Sequence, residues 1–546
     1  MDLAGNILAW SVLILCFVGL PLYLKNGYQS IASGKYLFLM NTGKYIVLAA
    51  IIYFAVSILF HFLAKEKPAE FNAFSTTELC LLVFLLLASI SHCLSDHKSG
   101  GEYYLNDWFF EGSFYGTKGW FMGLASWVLF AVFYFVIAKT LIFKKNAFLP
   151  MLITAFLICI WGILNRYCIA PIDLNYDYSE GNNLASLGNI NWFAGYTSVI
   201  CPLGWGLYIG AKETTTKERI IKGLLALFSF FSFYMTLINH SDSGIVALAV
   251  VMAVLLGFSL TEYSRLKAIF ELFIYVLLAA SVVGLADHFP NVTRTGKGGI
   301  IDGLYGIGAL VLMLFALVTY FLLLRYRESF PNQILDKVKK AYFILIPLAF
   351  LIYIIVLAIN TATDGALISY SGDSSPFFFN GEWGSRRGYT WTYGLKLFGE
   401  MDFVHKLIGS GPDTLYMELC RHKALFDEID EIFYGARLTN AHNEFITLLV
   451  NNGIFGLAAF ICILISAVKK SFEYAKENVW FVSFALAVIG YSVNNFFSFE
   501  QVTNTPLLFL ILGIEAAAVK DIAKSGATLT KSVAGNTIQK GKKKRK

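Results

Sequence analysis

Residues 341–360 read AYFILIPLAFLIYIIVLAIN, twenty positions without one Asp, Glu, Lys or Arg. A helix of about 20 apolar residues crosses the hydrocarbon core of a bilayer, so this stretch predicts a membrane span. The same signature recurs on both sides of it. Of the 546 residues, 57% are apolar and 15% charged, and mean hydropathy is +0.62. Soluble chains are about 45–50% apolar and about 25% charged. Composition therefore excludes a soluble globular protein, a disordered chain, a collagen and a disulfide scaffold. One polytopic membrane domain replaces the roughly three or four domains that length alone suggests.

Counting outward from residues 341–360, fourteen stretches qualify as spans, from Ile7–Leu24 to Thr505–Val519. The weakest are Thr77–His92 and Val479–Gly490, which makes the expectation about 12–14 transmembrane helices, all-α, with one large extracytoplasmic loop. The first span is no cleavable signal, since no positive n-region precedes it. Lys and Arg in short loops set orientation. With the N-terminus inside, the inside loops hold Lys65, Lys67, Lys144, Lys145, Lys212, Lys217, Arg219, Lys222, Arg265, Lys267, Arg325, Arg327, Lys337, Lys339, Lys340, Lys469, Lys470 and Lys476. The first outside loop runs against this with Lys25, Lys35 and Lys44. Both termini are then cytoplasmic in a cell (inner) membrane.

The net charge of +6 comes from 43 basic and 37 acidic residues. Six of the last seven residues are basic (Lys540, Lys542, Lys543, Lys544, Arg545, Lys546). That reads as a tail at a membrane surface rather than a nucleic-acid interface, and no nucleic-acid partner is expected. The eight cysteines show no metal spacing. Cys168 and Cys420 both fall in outside loops, where a disulfide between them is open. The chain divides into N-terminal helices 1–180, middle helices 181–360, a large loop 361–441, C-terminal helices 442–520 and a basic tail 521–546.

Ionisable groups in or near spans are few: His61, His92, Glu271 and Asp302. Such groups mark ion pathways in transporters, but reaching the interface from a span end is the plainer reading. The loop 361–441 is richer, and a loop that long carries function or its own structure. Within it, Leu415–Phe433 reads as one amphipathic helix with an acidic side. Asp427, Glu428, Asp430 and Glu431 read as its solvated face, because calcium loops need spaced oxygens and a Gly turn. No metal or cofactor is expected.

Three sequences stand out. Gly384-Ser385-Arg386-Arg387-Gly388-Tyr389-Thr390-Trp391 sets two guanidinium groups among aromatics. Leu407-Ile408-Gly409-Ser410-Gly411-Pro412-Asp413 is a turn. Asn440-Ala441-His442-Asn443-Glu444 runs into Leu448-Leu449-Val450-Asn451-Asn452-Gly453-Ile454-Phe455-Gly456. Arginine binds phosphate bidentately and stays charged; histidine moves a proton near neutral pH. Together at a bilayer face they suit a diphosphate leaving group and a hydroxyl nucleophile. Each has a structural alternative: Arg386 and Arg387 facing lipid phosphates or water, His442 as a helix-start donor, Asn440 as an N-cap. Trp383, Tyr389 and Trp391 flank the arginines and could stack on sugar rings. Tyr103, Tyr104, Trp108, Tyr176, Tyr178 and Tyr393 fit an interfacial belt.

This order of motifs resembles the O-antigen ligase/polymerase superfamily over roughly Leu187 to Phe460. Gly188-Asn189-Ile190-Asn191-Trp192 is similar to that family's Asn-x-Asn opening of a span, so Asn189 and Asn191 become substrate-binding candidates. The resemblance implies a GT-C-like membrane glycosyltransferase without metal. Its donor would be an undecaprenyl-diphosphate-linked oligosaccharide and its acceptor a hydroxyl of a glycan or lipid, with membrane lipids around it. Arg386 or Arg387 would hold the diphosphate, His442 would act on the acceptor hydroxyl, and Asn443 would support it. One family arginine is absent: Ser241-Asp242-Ser243-Gly244 stands where Ser-Arg-Gly is usual. Arg166 or Arg294 could supply that contact. The missing arginine favours a surface-polysaccharide polymerase over a ligase. A transporter or flippase of lipid-linked glycan, and a non-catalytic scaffold, are the alternatives from other classes.

Overall fold

The computed structural model describes residues 2–25, 27–28, 30–64, 74–98, 100–106, 109–172, 184–287, 289, 305–326, 332–369 and 375–523. The expectations for Arg294, Asp302, Trp108, Tyr176, Tyr178, Lys65, Lys67, Arg327 and residues 524–546 lie outside the described residues, as do the side chains of Tyr103 and Tyr104.

Apolar runs fold as helices because lipid offers no partner for free backbone groups. In chain order they are α1 Asp2–Leu22, α2 Ile31–Leu63 and α3 Thr76–Leu94. A short antiparallel ribbon follows, β1 Gly100–Asn106 and β2 Phe109–Glu111. Then come α4 Leu124–Thr140, α5 Leu149–Arg166, α6 Ile190–Ile209, α7 Thr216–Ile238, α8 Asp242–Ser259, α9 Tyr263–Ala286, α10 Ile307–Arg325 and α11 Asn332–Ala362. The chain closes with α16 Glu444–Ala475, α17 Val482–Phe496 and a helix α18 over residues 505–523. Among the described residues, eleven helices are long and apolar enough to cross a membrane. The protein is an all-α multi-pass membrane protein. Both of the weakest expected spans form, as α3 and as residues 479–496.

Burial separates a central group from a lipid-facing one. In residues 479–496, 72% of the apolar stretch is buried, whereas none of that of α11 is. The middle of the bundle is α17 packed against α6, α8 and α16. Gly206 and Gly210 permit this contact on α6, since a Cβ there would meet the backbones of Ser483 and Trp480 at 2.3 and 2.5 Å. Next to it Trp127, Phe84, Phe460 and Phe509 form an aromatic core of edge-to-face and tilted pairs.

One expectation is corrected here. Lys35 and Lys44 do not sit in a loop but inside α2. The Lys35 ammonium is buried and donates to Leu20 O, Pro21 O and Tyr23 O at 2.8–3.0 Å, which satisfies the open carbonyls at the end of α1. The disulfide left open between Cys168 and Cys420 is not formed, and both residues are exposed.

Residues 383–432 carry their own structure: α12 Trp383–Glu400, α13 Phe403–Ile408, α14 Leu415–Arg421 and α15 Lys423–Ile432. The single helix expected over Leu415–Phe433 is thus two. His422 leaves the helical region at φ −97°, ψ 73°, and its imidazole lies against Glu400 at 3.0 Å and Glu418 at 3.3 Å. Leu397, Leu415, Leu419, Leu425 and Ile429 give this cap a small core of its own. Ion pairs tie it to the segment before α4: His97 with Glu418 at 2.8 Å, Arg421 with Asp96 at 2.6 Å, Arg437 with Glu111 at 3.1 Å.

Candidate active site

The site forms where the cap meets the start of α16. Gly409 (φ 87°) and Gly453 (φ 68°) make the approach possible. A Cβ on Gly409 would lie 2.2 Å from Asn451 O, and one on Gly453 would lie 2.4 Å from Leu407 O. Ser410 N and Gly411 N then bond Val450 O and Asn451 O, each at 3.0 Å. The Gly-Ser-Gly turn is therefore laced to the same helix that begins beside His442.

His442 is fixed through its backbone. It sits at φ 47°, a left-handed conformation uncommon for a residue with a Cβ. Three bonds hold the turn there: His442 N to Asn440 Oδ1 at 2.9 Å, Ala441 N to Thr447 Oγ1 at 3.1 Å, and Thr390 Oγ1 to Ala441 O at 2.8 Å. The N-cap is Asn443, not Asn440; its Oδ1 accepts from Phe445 N and Ile446 N. The imidazole packs edge-on to Phe499, centroids 5.1 Å apart. Its nitrogens make no hydrogen bond to the described residues. Burial first, then the nearby Arg387 guanidinium, pushes the imidazolium down to about 4. At neutral pH the ring is uncharged and keeps a lone pair for a proton.

The two arginines part company. Gly384, Ser385 and Arg386 are three successive residues at positive φ, a strained turn that throws consecutive side chains to opposite sides. Arg387 goes inward. Its Nε donates to Phe497 O and its Nη1 to Gly384 O, both at 2.6 Å. Burial disfavours its charge, and Asp242 partly restores it. Arg386 goes outward, with its guanidinium over Phe433 and Tyr434 and 3.5 Å from Glu382. Asp242 of the Ser-Asp-Ser-Gly turn thus faces an arginine from elsewhere in the chain.

Trp383 and Trp391 pack at a tilt, centroids 5.3 Å apart, and Trp391 continues edge-on into Phe496 and stacked onto Phe497. Both indole N–H groups are buried without a hydrogen bond. Tyr389 packs edge-on to Phe433. Asn189 caps α6, accepting from Asn191 N at 2.8 Å and Trp192 N at 3.4 Å. Arg166 is engaged elsewhere: it pairs with Asp287 and donates to Tyr234 Oη at 2.7 Å and Val283 O at 3.3 Å. His442, Arg387 and the aromatic patch are therefore one cluster, and Arg166 belongs to the packing of α5 on α7 and α9.

Sequence reading missed the floor. Glu444 is fully buried; its oxygens accept from Tyr491 Oη at 2.8 Å and Asn495 Nδ2 at 2.9 Å. The network extends through Asn494 to Ser243 and Ser241. The turn after α17 is also buried. There Glu500 has an unbonded Oε2, and burial followed by the Glu444 charge holds its carboxyl well above the usual range. The available signal was Asn494-Asn495 closing an apolar span and Glu500-Gln501 in a turn without Lys or Arg. Asp413 of the Gly-Pro-Asp turn accepts from Thr117 N at 2.7 Å and Met122 N at 2.9 Å, and burial pushes it up to about 7. Among the described residues no group of His, Cys, Asp and Glu could hold a metal.

Residues 304–461 match a family model described as O-antigen ligase. The match covers the later part of the stretch over which the motifs resemble that superfamily, and it includes both arginines, the Gly-Ser-Gly turn and His442. No curated protein matches the chain.

Proposed function

From a chain whose residues 304–461 carry an O-antigen ligase family domain, we propose a membrane glycosyltransferase. It moves or polymerises glycan from an undecaprenyl-diphosphate-linked donor onto an acceptor hydroxyl on the extracytoplasmic face of the cell membrane. The observation that carries this reading is His442: an uncharged imidazole on a braced turn, near a half-buried guanidinium held by backbone carbonyls. His442 takes the proton of the acceptor hydroxyl. The acceptor oxygen attacks the anomeric carbon, the bond to the diphosphate oxygen breaks, and its electron pair leaves with undecaprenyl diphosphate. Direct displacement inverts the anomeric centre. Arg387 stabilises the leaving charge, as fixed donors do where charge develops; Arg386 meets the diphosphate at the outer edge. Asn443 keeps the His442 turn in register by capping α16. Trp383, Tyr389 and Trp391 offer ring faces to sugars, and the two free indole N–H groups offer donors to sugar hydroxyls. Asn189 and Asn191 border the glycan path at the start of α6. No step needs a metal. In this reading the cap over 361–441 and the helices from 442 form the catalytic part, and the helices of 1–360 position it.

The test uses purified protein, a lipid-diphosphate oligosaccharide and a chelator, beside His442→Ala. A growing ladder that the variant lacks, a fall of about 10²–10⁴-fold, identifies a polymerase. Reaction only after a second acceptor is added identifies a ligase. Wild-type turnover by His442→Ala refutes the assignment of the base, and no turnover with any acceptor refutes the enzyme.

A further inference from the structure

At the other end of the bundle the helices enclose a second site. It lies where α6 ends, α7 and α9 begin, and the chain turns from α16 into α17, the reverse end of each of these helices from the candidate active site. The cavity measures about 700 Å³. Five cationic side chains line it: Lys145, Lys212, Lys222, Arg265 and Lys267. Among the described residues two carboxylates do, Glu213 and Glu477.

The cations fall into two sets. Lys222 pairs with Glu213 and, at 2.8 Å, with Glu271. Lys267 pairs with Glu271 at 3.1 Å. Glu271 also accepts from Tyr208 Oη at 2.9 Å and Tyr320 Oη at 3.0 Å. These groups form a satisfied floor. Lys145 and Lys212 form the rim, and neither has a carboxylate within 4 Å among the described residues. The Lys145 ammonium sits 5.1 Å over the Trp480 ring, and that ring stacks on Phe143. Arg265 is intermediate: its Nε lies 3.2 Å from Glu262, yet the angle leaves that buried N–H unbonded.

Two free ammonium groups and an unbonded guanidinium N–H around one cavity form an anion site. The Trp480 indole beside them is the ring type that settles at a membrane interface, and basic pockets between spanning helices take phosphate headgroups. We propose that this cavity binds a phosphate-bearing anion, the headgroup of an anionic lipid in the leaflet at that end of the bundle. The same chemistry would accept a free phosphate ester. The site stands apart from His442 and does not rest on the glycosyltransferase reading.

The test reads binding, not turnover. Full-length protein in nanodiscs of phosphatidylcholine, with and without phosphatidylglycerol, is compared with the Lys145→Gln/Lys212→Gln double variant by thermal unfolding and native mass spectrometry. Phosphatidylglycerol should raise the Tm of the wild type by a few degrees. Each cation removed should weaken retention of the lipid about fivefold. Since neither lysine holds a carboxylate, the variant should match the wild type in pure phosphatidylcholine. If it does not, Lys212→Gln alone, at an exposed residue, gives the same comparison. A third arm adds glycerol phosphate to protein in phosphatidylcholine. A shift there that equals the lipid's, and that the variants lose, assigns the site to a soluble phosphate. Equal responses to both lipids, or a phosphatidylglycerol response that the variants keep, overturns the proposal.

Discussion

The two ends of the bundle treat buried charge in opposite ways. At one end Lys222, Lys267 and Glu271 neutralise each other within 3.1 Å and two tyrosines complete the shell. At the other, Arg387 is held by neutral carbonyls, the His442 ring nitrogens make no hydrogen bond to the described residues, and Glu500 keeps an unbonded oxygen. Paired charges hold helices together. Unpaired ones are held in place by the backbone at a desolvation cost, and that arrangement suits a site awaiting a charged or hydroxylic substrate. Arg386 and Arg387 repeat the contrast in adjacent, half-buried residues, one lying over aromatic rings beside Glu382 and one bonded to backbone carbonyls.

The sharpest way to break this comparison is Arg387→Gln beside Arg386→Gln. Transfer should fall about 10²–10³-fold for the first, the size expected when a fixed donor to the leaving charge is lost. The second should stay within about tenfold, as a partly exposed contact. Equal losses, measured as kcat/KM in detergent, would mean that burial does not distinguish them.

At the paired end the effect should appear in stability. Glu271→Ala leaves two ammonium groups facing each other, with Lys222 keeping only Glu213. Fully buried pairs cost about 3–5 kcal/mol when broken; at this partly open position about 2 kcal/mol is expected. Thermal unfolding of the variant measures it, and transfer by the surviving folded fraction should be normal.

Much of this was legible beforehand, for reasons that differ by region. Every apolar run expected as a span is helical where it is described, because lipid leaves the backbone no other choice. His442 and Arg387 lie near each other, Asn443 follows His442 as the cap of α16, and Gly409 packs further along that helix at Asn451; all share one matched segment. What could not be read was direction. Nothing in Gly384-Ser385-Arg386-Arg387 announces three left-handed residues, so the two arginines looked equivalent. Nor does Glu444 announce its partners: Tyr491 and Asn495 lie 47 and 51 residues away, beyond any local pattern. Arg166 reads as an outside cation that could supply the missing contact, whereas Asp287, 121 residues on, occupies it. Sequence periodicity reports burial of a face, not the partner across it.

A smaller effect concerns His442 and pH. With its imidazolium at about 4, the base is uncharged at pH 5.5, and kcat/KM should be nearly what it is at pH 7. An ordinary histidine near 6.5 would lose about tenfold there. Folding follows the same sign. The unfolded chain binds the proton first, so this contribution to stability is full above about 6.5 and declines as pH falls toward 4. In Arg387→Gln the titration, followed by histidine NMR, should move up toward 6.5.

The smallest expected effect lies in the seam between the cap and the segment before α4. Burial alone would raise the Glu418 carboxyl, but His97, Arg421 and His422 hold it below the usual value. A depressed carboxyl stabilises above its unfolded value of about 4.3 and loses that contribution as pH falls through the lower folded value. Glu418 is nearly buried while its partners Arg421 and His422 are partly exposed, so its worth is about 1 kcal/mol. Hydrogen exchange at residues 411–437 should therefore rise as pH drops below about 4, once corrected for the intrinsic pH dependence, while α16 and α17 stay protected. In His97→Ala the same opening should begin at higher pH. If the cap and the bundle core instead loosen together, the cap is not a separable layer, and the braced turn at His442 would depend on the whole bundle rather than on Asn440, Thr390 and Thr447.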